Sequence, residues 1–165
     1  MSREARDELI PGRPFWVLIP PPAWLMGTLV VGLRLHRVWP RRWYPVGAHG
    51  AFQLLGFFAM GASAALVVSA AVLFVRHRTT ISPAGRAGAL IVDGPFRFTR
   101  NPMYLGMALL YLGVAATTNA AWPLLLLPLP LWVINRRIIP FEEETLDALF
   151  GDAYRAYRGR VRRWF

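Results

Sequence analysis

The sequence predicts an all-α membrane protein with about four transmembrane helices and a C-terminal amphipathic helix at the cytoplasmic surface. The chain has 165 residues, about one domain, and only 17% are charged, against roughly a quarter in soluble domains. The charges are clustered, so long apolar windows lie between them. We therefore treat residues 1–165 as a single integral membrane domain. The predicted spans cover residues 14–33, 46–75, 102–118 and 122–139, and the C-terminal helix covers residues 141–160.

The first half of the chain contains two predicted spans joined by a basic, aromatic segment. Residues 1–13 form a polar lead before the first span. Because proline removes a backbone donor, Pro20, Pro21 and Pro22 should kink or restart the first helix, and a re-entrant start is the alternative. Residues 34–45 carry arginines interleaved with tryptophan and tyrosine, which is typical of a membrane-interface belt. The second span is uncharged, and small residues at helical spacing favour close helix packing there.

The second half contains a polar loop, an apolar hairpin and a basic end. Residues 76–101 form the loop. Only residues 119–121 separate the third and fourth spans, so these spans should form an antiparallel hairpin in which Pro128 and Pro130 kink the second helix. Pro140, followed by acidic residues, predicts a new helix start. An apolar stripe then makes the C-terminal helix amphipathic, with its basic face toward lipid phosphates.

The arginines predict orientation and partners. The net charge is +10, and all 19 cationic side chains are arginines. With four spans, 15 arginines lie on the side of both termini and four on the other, so the positive-inside rule places both termini in the cytoplasm, as in a bacterial cytoplasmic membrane. Because the arginines flank apolar segments, we expect anionic lipid headgroups as partners and no nucleic acid.

The composition also excludes several kinds of site. The chain has no cysteine, which excludes disulfides, thiolate catalysis and cysteine-ligated metals. The three histidines, His36, His49 and His77, are scattered and lack the spacing of metal ligands, so no metal site is predicted. The oligomeric state is left open.

Two polar stretches are candidates for chemistry. In residues 94–106, two arginines and an Asn-Pro step precede the third span, and the helix should begin at Pro102 because the residue before a proline is extended. The hairpin brings this stretch to the same membrane face as the acidic run 142–144. Arginine, asparagine, tyrosine and carboxylates would then converge at the rim of an apolar bundle, where they suit a cation or a zwitterion. Interfacial salt bridges with an acidic helix cap explain the same residues without chemistry.

Both stretches also follow one spaced pattern. Its residues are Arg100, Asn101, Pro102, Tyr104 and Gly106, and later Glu142, Glu143, Leu146, Phe150, Gly151, Tyr154, Tyr157 and Val161. This pattern resembles the membrane-embedded methyltransferases of the isoprenylcysteine carboxyl methyltransferase and phospholipid methyltransferase group, over about residues 90–165. Asn101 stands where the carboxyl methyltransferases usually have histidine, and Asn-Pro-Met-Tyr is similar to the phospholipid N-methyltransferases.

The resemblance implies S-adenosyl-L-methionine bound at the cytoplasmic face and a lipophilic acceptor that arrives from the bilayer. The acceptor is left open among a phospholipid amine, an isoprenylcysteine-type or other carboxylate, a thiol and a phenol. The implied cofactor-binding residues are Arg97, Asn101, Pro102, Tyr104, Gly106, Glu142, Glu143 and Tyr154, and the implied catalytic residues are Arg100 and Glu143.

The resemblance also suggests individual roles. Glu142 and Glu143 would hold the cofactor ammonium, and Arg100 would hold its carboxylate. For an amine acceptor, Glu143 would take the proton. The alternatives are an oxidoreductase related to the sterol C14-reductases, whose C-terminal tyrosine and basic pattern is similar, and a non-enzymatic membrane protein whose polar loops only anchor it.

Overall fold

The computed structural model describes residues 19–78 and 88–165, and this part of the chain is all-helical, without a β-strand. The helices are α1 (Pro21–Val38), α2 (His49–Arg76), α3 (Pro102–Thr118), α4 (Ala121–Leu126), α5 (Pro128–Val133), α6 (Ile139–Phe150) and α7 (Asp152–Arg160). Two 3₁₀ turns, Val46–Ala48 and Gly94–Arg97, precede α2 and α3, and a π-helical turn, Ile134–Ile138, joins α5 to α6. For these residues, the prediction of an all-α fold is confirmed.

Two segments of the described chain are long and apolar enough to cross a membrane. They are Val46–Arg76, which contains α2, and Ala121–Phe150, which contains α4 to α6. Helix α3 is a shorter apolar helix. Length and composition therefore support two of the predicted spans.

The proline triplet marks the start of α1. Pro20 is outside the helix and Pro21 lies in its first turn, where the missing backbone N–H would have no partner in any case. A helix therefore begins at the proline triplet. The helix runs to Val38, past the predicted end at residue 33, so part of the basic belt is helical. The polar lead and residues 14–18 lie outside the described residues.

Helices α2 and α3 pack against each other along glycines. A Cβ atom built on Gly56 would lie 2.8 Å from the carbonyl oxygen of Gly113, and one built on Gly113 would lie 2.7 Å from the carbonyl oxygen of Gly56. The two backbones therefore touch, as small residues allow in membrane helix pairs. Gly61, also in α2, has no atom within 4 Å of such a Cβ and lies off this contact.

The predicted hairpin is observed between α3 and the helices that follow it. Asn119 ends α3 with a left-handed backbone, which asparagine tolerates better than most residues. Its side chain accepts hydrogen bonds from the backbone N–H groups of Trp43 and Tyr44, which ties the α1–α2 loop to this turn. Near the turn, the hydroxyl of Tyr111 donates to the carbonyl of Pro123 at 3.0 Å. The antiparallel pairing returns α6 to the start of α3.

The end of the chain differs from its prediction in two places. Pro140 does not begin a separate helix, because the π-helical turn continues the preceding helix into α6. In a π-helical turn the backbone N–H groups bond to carbonyls five residues back. The turn lies just before Pro140, which has no N–H to donate. The single helix expected over residues 141–160 is also wrong. It is broken at Gly151, whose φ of 51° and ψ of −123° form a backbone conformation that glycine adopts far more readily than other residues.

Candidate functional site

A cavity of about 380 Å³ lies where the start of α1, the end of α2, the start of α3 and α6 meet. Its apolar lining consists of Pro20, Pro21, Pro22, Phe74, Phe96, Pro102, Met103 and Met107. Its polar lining consists of Arg100, Asn101, Tyr104 and Glu142. Ligand sites are typically apolar cavities of this size with a few polar groups that orient the ligand. The two polar stretches of the sequence therefore meet at one cavity.

The turn before α3 positions Arg100 and Asn101, and the first turns of α3 position Tyr104. Gly94 has a φ of 57° and opens the 3₁₀ turn, which ends at Arg97. Asn101 is the last residue outside α3, and Pro102 occupies the first turn, as the sequence predicts. The hydroxyl of Thr99 accepts a hydrogen bond from the N–H of Asn101 at 3.1 Å, which fixes the turn into the helix.

The adjacent acidic residues of α6 point to different partners. Glu142 lines the cavity and accepts a hydrogen bond of 2.5 Å from the hydroxyl of Tyr104 through Oε1. Glu143 is buried and forms salt bridges with Arg100 at 3.1 Å and Arg163 at 2.6 Å. Successive helical residues project about 100° apart, so one carboxylate faces the cavity while its neighbour faces the arginines.

Arg100 connects the cavity to the ion pairs behind it. Its Nη1 contacts Glu143 and donates to the hydroxyl of Tyr154 at 3.3 Å, and its side chain is only 12% exposed. Its Nε is buried and has no hydrogen-bond partner among residues 19–78 and 88–165. A buried guanidinium N–H without a partner is costly unless a ligand accepts from it. Arg100 is therefore the strongest anion-binding group of the site.

The tyrosines of α7 pack behind the site. Tyr154 and Tyr157 are buried in a cluster with Ala70, Ile91 and Phe96. The hydroxyl of Tyr157 donates to the carbonyl of Phe96 at 2.8 Å, which fixes a wall of the cavity. The apolar stripe predicted for the C-terminal helix thus packs against protein.

Burial predicts how stability depends on pH. It raises the pKa of both the Tyr154 and the Tyr157 phenol above the ordinary value near 10. A raised folded-state pKa leaves stability unchanged below about pH 10 and lowers it above, by up to about 1.4 kcal/mol per pH unit for each phenol. We expect the temperature of the unfolding midpoint to decrease as the pH is raised from 10 to 11. The decrease should be less steep in Tyr157→Phe. If the midpoint of Tyr157→Phe decreased with pH as steeply as that of wild type, the loss of stability could not be attributed to the Tyr157 phenol.

The remaining residues implied by the resemblance take different positions. Arg97 is exposed in the 3₁₀ turn and does not line the cavity. Gly106 faces α2, where a Cβ would lie 2.7 Å from Val67. Tyr154 reaches the site only through Arg100. Pro102 lines the cavity.

The structure adds site residues that sequence reasoning missed. The apolar walls Phe74 and Met107 lie inside ordinary transmembrane sequence, which carries no signal of a cavity. The sequence predicts a basic C-terminal end that faces lipid, yet Arg163 in this end binds Glu143 through two hydrogen bonds. Nothing in a run of arginines distinguishes the one that is paired with a carboxylate.

Comparisons with known proteins indicate the family of the chain. Residues 51–153 match the family described as phospholipid methyltransferase. The chain is 35% identical over 72 residues to the protein-S-isoprenylcysteine O-methyltransferase of Schizosaccharomyces pombe, a stretch covering 44% of this chain and 30% of that protein. No solved structure matches the chain. Because the family match extends over more than half of its length, the chain belongs to the phospholipid methyltransferase family.

Proposed function

We propose that this protein transfers a methyl group from S-adenosyl-L-methionine to a lipophilic acceptor at the cytoplasmic face of the membrane. The observation that carries the proposal is the cavity, whose apolar walls enclose Arg100, Asn101, Tyr104 and Glu142 at the ends of apolar helices. Membership of the phospholipid methyltransferase family supports the reaction type. A cofactor with charged groups and an apolar acceptor need such a mixed site.

The polar groups fit the amino-acid part of this cofactor. Glu142 uses one carboxylate oxygen for Tyr104, and the other has no partner among the described residues, so it is available to a ligand ammonium. Arg100 lines the cavity, so its guanidinium would bind a ligand carboxylate. Asn101 donates through Nδ2 to the protein, which leaves its side-chain oxygen for a ligand hydroxyl or amine.

The residues have mainly a positioning task. S-Adenosylmethionine would supply a methyl group on a positively charged sulfur: the acceptor would bond to the methyl carbon in line as the carbon–sulfur bond breaks and S-adenosylhomocysteine leaves. Arg100 and Glu142 orient the bound molecule, while the apolar walls such as Met107 exclude water. A carboxylate acceptor needs no base. An amine acceptor must lose a proton, which Glu142 can take because it faces the cavity. In this proposal Glu143 holds Arg100 in place and is not the base. Retained turnover of an amine acceptor in Glu143→Gln would argue against the alternative in which Glu143 takes the proton.

The proposed topology has four membrane crossings with both termini in the cytoplasm. The excess of arginine near the site supports this orientation. Helix α1 packs on α3 and α4 rather than on α2, although both α1 and α2 border the cavity. We infer that the acceptor enters from the bilayer between α1 and α2. Anionic headgroups would bind the exposed arginines at the surface, such as Arg158 and Arg160.

The test is a calorimetric titration of S-adenosylmethionine and S-adenosylhomocysteine into the detergent-purified protein with added lipid. We expect saturable binding of both ligands. In the double variant Glu142→Gln/Glu143→Gln, we expect binding to be lost while the helical circular dichroism is retained. Binding of NADPH in place of both ligands would favour the reductase alternative. Failure of the folded protein to bind any of the three would favour a non-enzymatic anchor.

A further inference from the structure

The last residues of the chain, 161–165, bind the turn that precedes α3, and we call them the terminal strap. The carbonyl of Arg162 accepts a hydrogen bond from the N–H of Arg100 at 3.0 Å. The carbonyl of Arg163 accepts from the hydroxyl of Thr99 at 3.1 Å and from Nδ2 of Asn101 at 2.9 Å. Three consecutive residues at the cavity mouth are therefore held by two consecutive carbonyls of the strap.

The side chains of the strap bind the opposite wall. Arg163 donates to both oxygens of Glu143, at 3.0 and 2.6 Å, and to the side-chain oxygen of Asn135 at 3.3 Å. Nε1 of Trp164 donates to the same Asn135 oxygen at 3.2 Å. Asn135 lies in the π-helical turn, a type of irregularity that is frequent at functional sites. The strap thus bridges the turn before α3 and the helix that carries the acidic pair.

We propose that Arg163 is a positioning residue for the cofactor site, acting through Glu143 and Arg100. This inference rests on the proposed function. Oε1 of Glu143 is shared by Arg100 and Arg163, and Oε2 is occupied by Arg163. Because Arg163 binds both oxygens of Glu143, Arg100 contacts Glu143 through Nη1 alone and remains in the lining of the cavity. Without Arg163, Arg100 would turn its planar fork onto Glu143 and leave the cavity.

The strap also sets the amide of Asn101. Because Nδ2 donates to the carbonyl of Arg163, the side-chain oxygen of Asn101 is the atom left for a ligand. That hydrogen bond uses backbone, so it persists when the Arg163 side chain is shortened. The side chain of Arg162 is exposed, and only its carbonyl contacts the turn. Arg162 is therefore a matched control for Arg163, with the same charge in the same strap.

The experiment compares Arg163→Ala with Arg162→Ala by calorimetric titration of S-adenosylmethionine into the full chain. Loss of charge-assisted hydrogen bonds corresponds to about tenfold weaker binding or more, which we expect for Arg163→Ala. We expect Arg162→Ala to bind within about twofold of wild type. Arg163→Lys, which keeps the charge but not the planar fork, should lie between wild type and Arg163→Ala.

A second ligand distinguishes a loss of Arg100 positioning from a general loosening of the fold in Arg163→Ala. 5′-Methylthioadenosine lacks the amino-acid part that Arg100 would hold, so Arg163→Ala should bind it as wild type does. Equal losses for both ligands would overturn the inference, as would unchanged S-adenosylmethionine binding in Arg163→Ala. If wild type binds neither ligand, the proposed function fails and the inference fails with it. Binding by wild type and by Arg163→Ala alike refutes the strap role alone.

Discussion

Replacing Glu142 with glutamine should weaken S-adenosylmethionine binding by about 100-fold, because a charged partner of the ligand ammonium is lost from a mostly apolar cavity. The glutamine keeps the size of the side chain and an oxygen that accepts from Tyr104, so the fold should persist. Calorimetry on the detergent-purified protein measures the loss, and turnover with a lipid acceptor should fall in parallel.

Glu144→Gln is the matched control for this prediction. Glu144 is the next carboxylate but one on the same helix, it is exposed, and it does not line the cavity. The same change of charge should alter binding by less than about twofold, because exposed charges are screened by solvent. Wild-type affinity in Glu142→Gln would contradict the proposed role of Glu142.

A single methyl group at the α2–α3 contact should destabilise the protein by about 2–3 kcal/mol, the upper part of the usual range for overpacking. In Gly113→Ala the new Cβ would lie 2.7 Å from the carbonyl oxygen of Gly56 and 2.6 Å from Cγ of Met60. Backbone cannot yield as a flexible side chain does, so the helices must separate. Reversible unfolding in micelles measures the change in free energy.

Gly61→Ala provides the control for the packing prediction. No atom lies within 4 Å of a Cβ built there, and alanine has the higher helix propensity, so stability should be equal or slightly greater. Because Phe74 of α2 and Tyr104 of α3 both line the cavity, separation of the helices in Gly113→Ala should also weaken cofactor binding. Equal stability of the Gly113→Ala and Gly61→Ala variants would show that the contact tolerates a methyl group.

Much of the fold could be predicted from local chemistry. Apolar windows predicted the helices, Pro102 predicted the start of α3, and the short connection near Asn119 predicted the hairpin. The spaced motifs predicted the family, which the family match confirms. The motif also contains all four polar residues that line the cavity, which are Arg100, Asn101, Tyr104 and Glu142. These features depend on neighbouring residues or on a repeated pattern.

The pairing of charges was decided by tertiary structure alone. The sequence by itself determined that Glu142 and Glu143 lie near a group of arginines, because the hairpin returns them to that membrane face. Only the folded chain decided that Glu142 faces the cavity while Glu143 binds Arg100 and Arg163. The rotation of a helix about its axis is set by side-chain packing over its whole length. Three consecutive carboxylates at the start of α6 project about 100° apart, so the acidic run by itself does not indicate which of them faces the cavity.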